Sequence, residues 1–157
     1  MDVGRACTRQ GFFRDAPLRL AVEPGRSIIA RAGVTVYTII ARKQFAAEPQ
    51  PGGATSGYLH VDGGMADNIR PALYQARYTA LLANRADEEP DDVFTIAGKH
   101  CESGDVLIDH AELPEPRRGD LIAVPATGAY TLGMASNYNG VPRPAAVLVG
   151  GGEARLI

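Results

Sequence analysis

Short runs of β-branched and aromatic residues, broken by glycine- and proline-rich stretches, set the pattern of this chain. Val34-Thr35-Val36-Tyr37-Thr38-Ile39-Ile40 is such a run and predicts a strand. Tyr58–Asp62 predicts a second, stopped by Gly63-Gly64. Tyr78–Leu82, Val93–Ala97 and the short Val106–Ile108 follow. Asp120–Val124 comes next, behind the turn at Arg118-Gly119. Ala145–Val149 and Ala154–Ile157 flank Gly150-Gly151-Gly152, which predicts a hairpin rather than a phosphate cradle. Only Ala129–Ala135 reads as helical, and it is short. The segments Gln50–Gly57 and Ala86–Asp92 read as loops. Regular short strands at this spacing predict a mainly β fold, a sandwich or a small barrel.

The first 33 residues have a different grammar. Leu18-Arg19-Leu20-Ala21-Val22 predicts a strand, Glu23-Pro24-Gly25-Arg26 its outgoing turn, and Ser27–Ala32 the start of a helix. Strand, turn and helix in that order belong to a β/α barrel and are out of place at the head of an all-β domain. Met1–Pro17 shows no clear period and is left unplaced.

Composition changes the picture mainly by exclusion. At 157 residues the chain is one domain's worth and can bury a core of its own. Its net charge of −2 gives no electrostatic reason to expect nucleic acid or an anionic membrane as partner. No apolar run approaches the ~20 residues that span a bilayer. Residues Met1–Gln10 lack the apolar centre of a secretion signal. Cys7 and Cys101 do not make a disulfide framework, so free thiols and a cytoplasmic location are expected. His60, His100 and His110 lack ligand spacing, so no metal is expected. Gly52–Gly57 has no lysine of the phosphate-loop kind and reads as a plain loop. Glu88-Glu89 and Asp91-Asp92 read as solvated.

Four segments bring chemistry. In Glu23-Pro24-Gly25-Arg26, backbone amides and a guanidinium sit together, which suits an anion; a strand-ending turn with a solvated arginine is the plainer reading. Arg70 and Tyr74 are four apart and share a face on one helical turn, which Pro71 would help to open. A guanidinium beside a phenol can clamp a carboxylate, although the spacing alone equally describes an ordinary surface ladder. Gly98-Lys99-His100-Cys101-Glu102-Ser103-Gly104-Asp105 delivers a thiol and a carboxylate into a tight turn after Val93–Ala97. By base rates a lone cysteine is a buried structural thiol, and His100 would point away from Cys101 if both lay in a strand. Tyr130, after Thr127-Gly128-Ala129, reads on its own as a core tyrosine with a satisfied hydroxyl.

Taken together, Glu23–Ser27, Asp67-Asn68-Ile69-Arg70-Pro71-Ala72-Leu73-Tyr74, Gly98–Asp105 and Thr127–Tyr130 resemble the C-terminal part of the diaminopimelate decarboxylases. These belong to the pyridoxal phosphate (PLP)-dependent ornithine/diaminopimelate/arginine decarboxylases. The resemblance covers roughly residues 18 to 157. It implies the C-terminal β-sandwich or small β-barrel domain of the alanine racemase-like PLP decarboxylases, at 34–157. Residues 1–33 would then be a remnant of the last βα unit of the PLP-binding barrel, with 1–17 unplaced.

The implied reaction turns meso-2,6-diaminopimelate into L-lysine and carbon dioxide, a step of lysine biosynthesis. The resemblance makes Cys101 the catalytic proton donor. It gives Arg26, Arg70, Tyr74, Glu102 and Tyr130 to the substrate, and Glu23, Pro24, Gly25, Arg26 and Tyr130 to the cofactor. It also implies a homodimer in which Cys101 and Glu102 reach into the partner's site. In the ornithine and arginine relatives the cysteine is typically followed by Asp; Glu102 and the cationic pair Arg26 and Arg70 favour a substrate with a second carboxylate. The chain's two lysines, Lys43 and Lys99, do not stand where the family's cofactor-bonding lysine stands, and nearly all of the barrel is missing. The expectation is therefore a C-terminal part that is inactive alone, from a truncated gene or one half of a split enzyme. The alternatives are half of a split ornithine/arginine-type decarboxylase, or a non-catalytic β module that binds or regulates a full-length one.

Overall fold

A computed structural model describes residues 21–45 and 55–157. Most of the strand predicted at Leu18–Val22, all of Met1–Pro17 and most of the Gln50–Gly57 loop lie outside the described residues. Eight strands are described: β1 (Val34–Gln44), β2 (Gly57–Val61), β3 (Leu81–Leu82), β4 (Asp92–Ala97), β5 (Val106–Leu113), β6 (Leu121–Pro125), β7 (Val147–Gly150) and β8 (Glu153–Leu156). Two short helices, α1 (Arg26–Ile29) and α2 (Arg70–Tyr74), and several single 3-10 turns complete the list.

Six strands form one sheet in the order β3-β6-β1-β2-β4-β5. All neighbours are antiparallel except β2 and β4, which run parallel. The sheet curls until its edge strands β3 and β5 approach each other, giving a half-barrel. This is the mainly β class expected from the spacing of the strands. The concave side is filled by Ile39, Leu59, Val61, Phe94, Ile96, Leu113 and Ile122, none more than 1% exposed. In β2 the side chains alternate between buried and half-buried, as a strand with one covered face requires. The stretch Phe94–Ala97 of β4 is buried on both faces, and the Thr95 hydroxyl answers that burial by donating to the Asp109 carbonyl at 2.8 Å.

Several elements depart from the reading by run length. Only Leu81–Leu82 of the expected third strand pairs; Tyr78 and Ala80 instead pack against the core. β5 continues past Ile108 through Asp109-His110 to Leu113, because Ala111 and Leu113 turn inward and Glu112 outward. The helix expected at Ala129–Ala135 shrinks to a 3-10 turn, Leu132–Met134. Tyr130 has a left-handed φ of 60°, which no helix accommodates. The hairpin is present as β7–β8, turned by Gly151 and Gly152 at φ 58° and 81°. Asp92 is not freely solvated: it accepts from the Ser56 hydroxyl and from the Val93 amide.

Asp120 anchors the turn into β6. Its carboxylate accepts from Arg85 at 2.7 Å, Asn84 at 3.0 Å and the Arg117 amide at 2.8 Å. Burial pushes this carboxyl up, and the three hydrogen bonds outweigh burial, so it sits below the ordinary 3.8. A depressed native pKa contributes stability that is present above the unfolded value and is lost as pH falls through the native one. Thermal melts should therefore lose midpoint temperature below about pH 5. In Asp120→Asn that acid slope should flatten, and an unchanged slope would remove Asp120 from the account.

Candidate functional site

Two groups of side chains stand at the rim of the half-barrel. The first is built on α1, α2 and the loop after β6. Arg26 opens α1 behind Pro24-Gly25, and the turn is closed by Ile28 N–H donating to the Gly25 carbonyl at 3.1 Å. A side chain at Gly25 would collide with the Tyr130 hydroxyl, so glycine is what lets the phenol lie against this turn. The Arg26 guanidinium carbon is 5.5 Å from the centre of the Tyr130 ring, and that of Arg70 is 5.8 Å from the same ring. Arg70 also lies 5.2 Å from the ring of Tyr74, one helical turn ahead on α2. Two cations thus share one phenol. Among the described residues no carboxylate pairs with either. Arg26 Nη2 and Arg70 Nε are buried without a hydrogen-bond partner. Buried donors of this kind carry a cost until an acceptor arrives, and an anion supplies one.

A cavity of about 340 Å³ opens beside the group, lined by Arg26, Arg70, Arg77, Tyr78, Pro125 and Ala126. Arg77 had no signal in the sequence. Gln75 ends α2 in a left-handed conformation (φ 53°), so the chain turns and helical spacing from Arg70 no longer applies.

The second group lies on the turn between β4 and β5. Cys101 is a free, exposed thiol, not a buried structural one. Glu102 accepts from the Gly104 amide and the Ser103 hydroxyl, each at 3.3 Å. Tyr138, which sequence reasoning missed, donates its hydroxyl to Glu102 at 3.4 Å. His100 is buried with Nδ1 2.9 Å from Asp105, so its ring is committed to Asp105 and not to Cys101. The segment from Tyr130 to Tyr138 reaches both groups, since its first tyrosine meets the arginines and its last meets Glu102. Among the described residues no hydrogen bond, ion pair or ring contact joins Cys101 or Glu102 to Arg26, Arg70, Tyr74 or Tyr130. The structure thus gathers Gly25, Arg26, Arg70, Tyr74 and Tyr130, leaves Glu23 and Pro24 exposed beside them, and sets Cys101 and Glu102 apart. No cluster able to hold a metal ion is found among the described residues. No helix among them is long and apolar enough to cross a membrane.

Fold and site together define a curled sheet domain with two arginines gathered on one tyrosine ring. Residues 27–128 match the family described as pyridoxal-dependent decarboxylase, C-terminal sheet domain, and the chain belongs to that family. It is 52% identical over 150 residues to the diaminopimelate decarboxylase of Bacillus subtilis (strain 168), covering 96% of this chain and 32% of that protein. To the diaminopimelate decarboxylase of Synechocystis sp. it is 48% identical over 157 residues, 100% of this chain and 31% of the relative. Among solved structures, diaminopimelate decarboxylase from Helicobacter pylori complexed with L-lysine matches with a TM-score of 0.74 at 30% identity, over 94% of this chain and 34% of that one. A lysine/ornithine decarboxylase from Vibrio vulnificus, at 23% identity and a TM-score of 0.67, shares the fold. The chain spans about a third of the length of the relatives it matches, as expected of a C-terminal part.

Proposed function

We propose that this chain supplies the substrate- and phosphate-binding rim of a PLP-dependent diaminopimelate decarboxylase, which converts meso-2,6-diaminopimelate into L-lysine and carbon dioxide. The observation that carries the reading is the convergence of Arg26 and Arg70 on Tyr130 with buried N–H groups left unpaired. A phosphate fits here. It offers only acceptors, Arg26 Nη2 is a donor in want of one, and Gly25 leaves the Tyr130 hydroxyl uncovered by any side chain of its own. Glu23, Pro24, Gly25, Arg26 and Tyr130 would hold the cofactor. The chemistry supplied by bound PLP would be that of an electron sink for the pair left behind as carbon dioxide departs.

The rest is done by side chains. Arg70 offers its guanidinium fork, and Tyr74 its hydroxyl, to the distal carboxylate of the substrate; Arg26 and Tyr130 also reach substrate. The Glu102 carboxylate complements a substrate ammonium group. The Cys101 thiol gives its proton to the carbon that has lost the carboxylate, and solvent reprotonates the thiolate. Cys101 and Glu102 stand apart from the arginines, which supports a homodimer in which each copy lends them to the other's site.

Residues 1–33 are read as the end of a barrel and 34–157 as the sheet domain; the barrel would bring the lysine that bonds the cofactor. Val22, Ile28 and Ile29 are more than half exposed and suit that barrel as their cover. The free thiol of Cys101 fits a reducing, cytoplasmic setting.

The test is release of carbon dioxide from meso-diaminopimelate with added PLP, with and without a separately expressed barrel half. The expected result is activity only with the barrel half. Release by the chain alone would overturn its incompleteness. Silence with a folded, PLP-loaded barrel half would overturn the decarboxylase reading.

A further inference from the structure

Asp105 is buried to 3% exposure, and none of the roles assigned above uses it. Its Oδ1 accepts the Met65 amide at 2.6 Å. Its Oδ2 accepts the His100 amide at 2.8 Å and faces His100 Nδ1 at 2.9 Å. The socket is close-fitting, because a side chain at Gly64 or Gly98 would run into this carboxylate. The two oxygens therefore hold two different pieces of chain. His100 belongs to the turn that carries Cys101 and Glu102, and that turn is closed by Asp105 N–H donating to the Glu102 carbonyl at 3.1 Å. Met65 belongs to the loop that leads from β2 into α2. There Asp67 and Asn68 amides donate to the Gly64 carbonyl, at 2.9 and 3.2 Å, and Arg70 follows as the first residue of the helix. Burial pushes the Asp67 carboxyl up, and its Oδ2 accepts the Gly64 amide at 2.9 Å, so this loop is fixed from within as well. The Lys99 amide donates to the Gly63 carbonyl at 3.0 Å and reinforces the same junction.

We infer that Asp105 is a positioning residue that ties the Cys101–Glu102 turn to the loop that sets Arg70, and so fixes the spacing of the two groups. The roles of the tied groups rest on the proposed function; the tie itself does not. In a homodimer that shares Cys101 and Glu102 across its interface, the same carboxylate links one active site to the next. Carboxylate bonds to backbone N–H groups are the strong, charge-assisted kind, and beyond the end of the β2–β4 ladder they add to the single backbone bond from Lys99 to Gly63 in holding the two segments together.

The experiment uses Asp105→Asn, which keeps the shape but gives up one acceptor oxygen. In the 157-residue chain, amide hydrogen exchange at Met65 and His100 should speed up together, by about tenfold or more, while Ile39 and Leu59 in the sheet keep their protection. Unchanged exchange at Met65 would overturn the tie. In the chain joined with its barrel half, the same variant should raise KM for meso-diaminopimelate and lower kcat, each about tenfold, since both groups shift. A role in folding alone would lower kcat through lost active protein and leave KM unmoved, and that result would also overturn the inference. If no pairing of halves decarboxylates, the exchange rates alone decide it and only the proposed function falls. Should Asp105→Asn fail to melt cooperatively, His100→Gln takes its place: it removes the ring's bond to Oδ2 and should speed exchange at residues 65 and 100 severalfold. Unchanged protection at Met65 in that variant counts against the tie.

Discussion

Replacing Arg70 with alanine in the completed enzyme should lower kcat/KM for meso-diaminopimelate by about 10²–10⁴-fold, because two charge-assisted hydrogen bonds worth roughly 1.5–3 kcal/mol each would be lost. Arg70 is placed for that job by three features. It is the first residue of α2, it lies 5.2 Å from the Tyr74 ring, and it lies 5.8 Å from Tyr130. Among the described residues its side chain makes no hydrogen bond or ion pair, and its buried Nε has no partner, so its removal orphans none of their polar groups. The loss should therefore fall on the substrate and not on the fold. Arg70→Lys should recover only part of the rate, since it restores the charge without the fork. Steady-state kinetics on both variants check this; a KM within twofold of the parent in Arg70→Ala would take the distal carboxylate away from Arg70.

Phe94→Ala should cost about 3–5 kcal/mol of folding free energy, a large share of the roughly 5–15 kcal/mol that holds a domain of this size together. Phe94 is fully buried in β4, between β2 and β5, where it faces Gly57 on one side and Ala111 on the other. These small neighbours leave the ring to fill the space, and they cannot close over the hole left by alanine. Its face also receives Arg42, whose guanidinium carbon is 5.4 Å from the ring centre. Glu115 and the Pro116 carbonyl hold that guanidinium in turn. Urea unfolding measures the loss, and a cost below about 1 kcal/mol would mean that the sheet repacks around the gap.

What could be read from the residues depended on how local the signal was. Val34–Ile40 and Val93–Ala97 announce themselves because β-branched and aromatic side chains crowd a pleated surface whatever their partners. The lower half of β5 does not, because Asp109-His110 interrupts the apolar run and only the sheet shows that Ala111 and Leu113 return inward. Tyr130 sits where a helix seemed due, held in a left-handed backbone against Gly25, about a hundred residues away in sequence. The motifs around Arg26, Arg70 and Tyr130 could be picked out one at a time, yet their meeting on one ring is a fact of tertiary structure. Arg77 and Tyr138 were invisible for the same reason. Each acquires meaning only through a neighbour, the cavity in one case and Glu102 in the other.

The strand order has a consequence for synthesis. β1 lies at the middle of the sheet, between β6 and β2. Its pairing with β6 brings Thr35 against Thr127, 92 residues later in the chain, where the two hydroxyls are 2.9 Å apart. A ribosome adding about 5–20 residues per second holds β1 for several seconds before that partner emerges. During that interval Val34 and Val36 present an unpaired strand edge to whatever is near. Long-range closures of this kind fold slowly, so yield at high expression should fall sooner than the stability of the finished sheet would suggest.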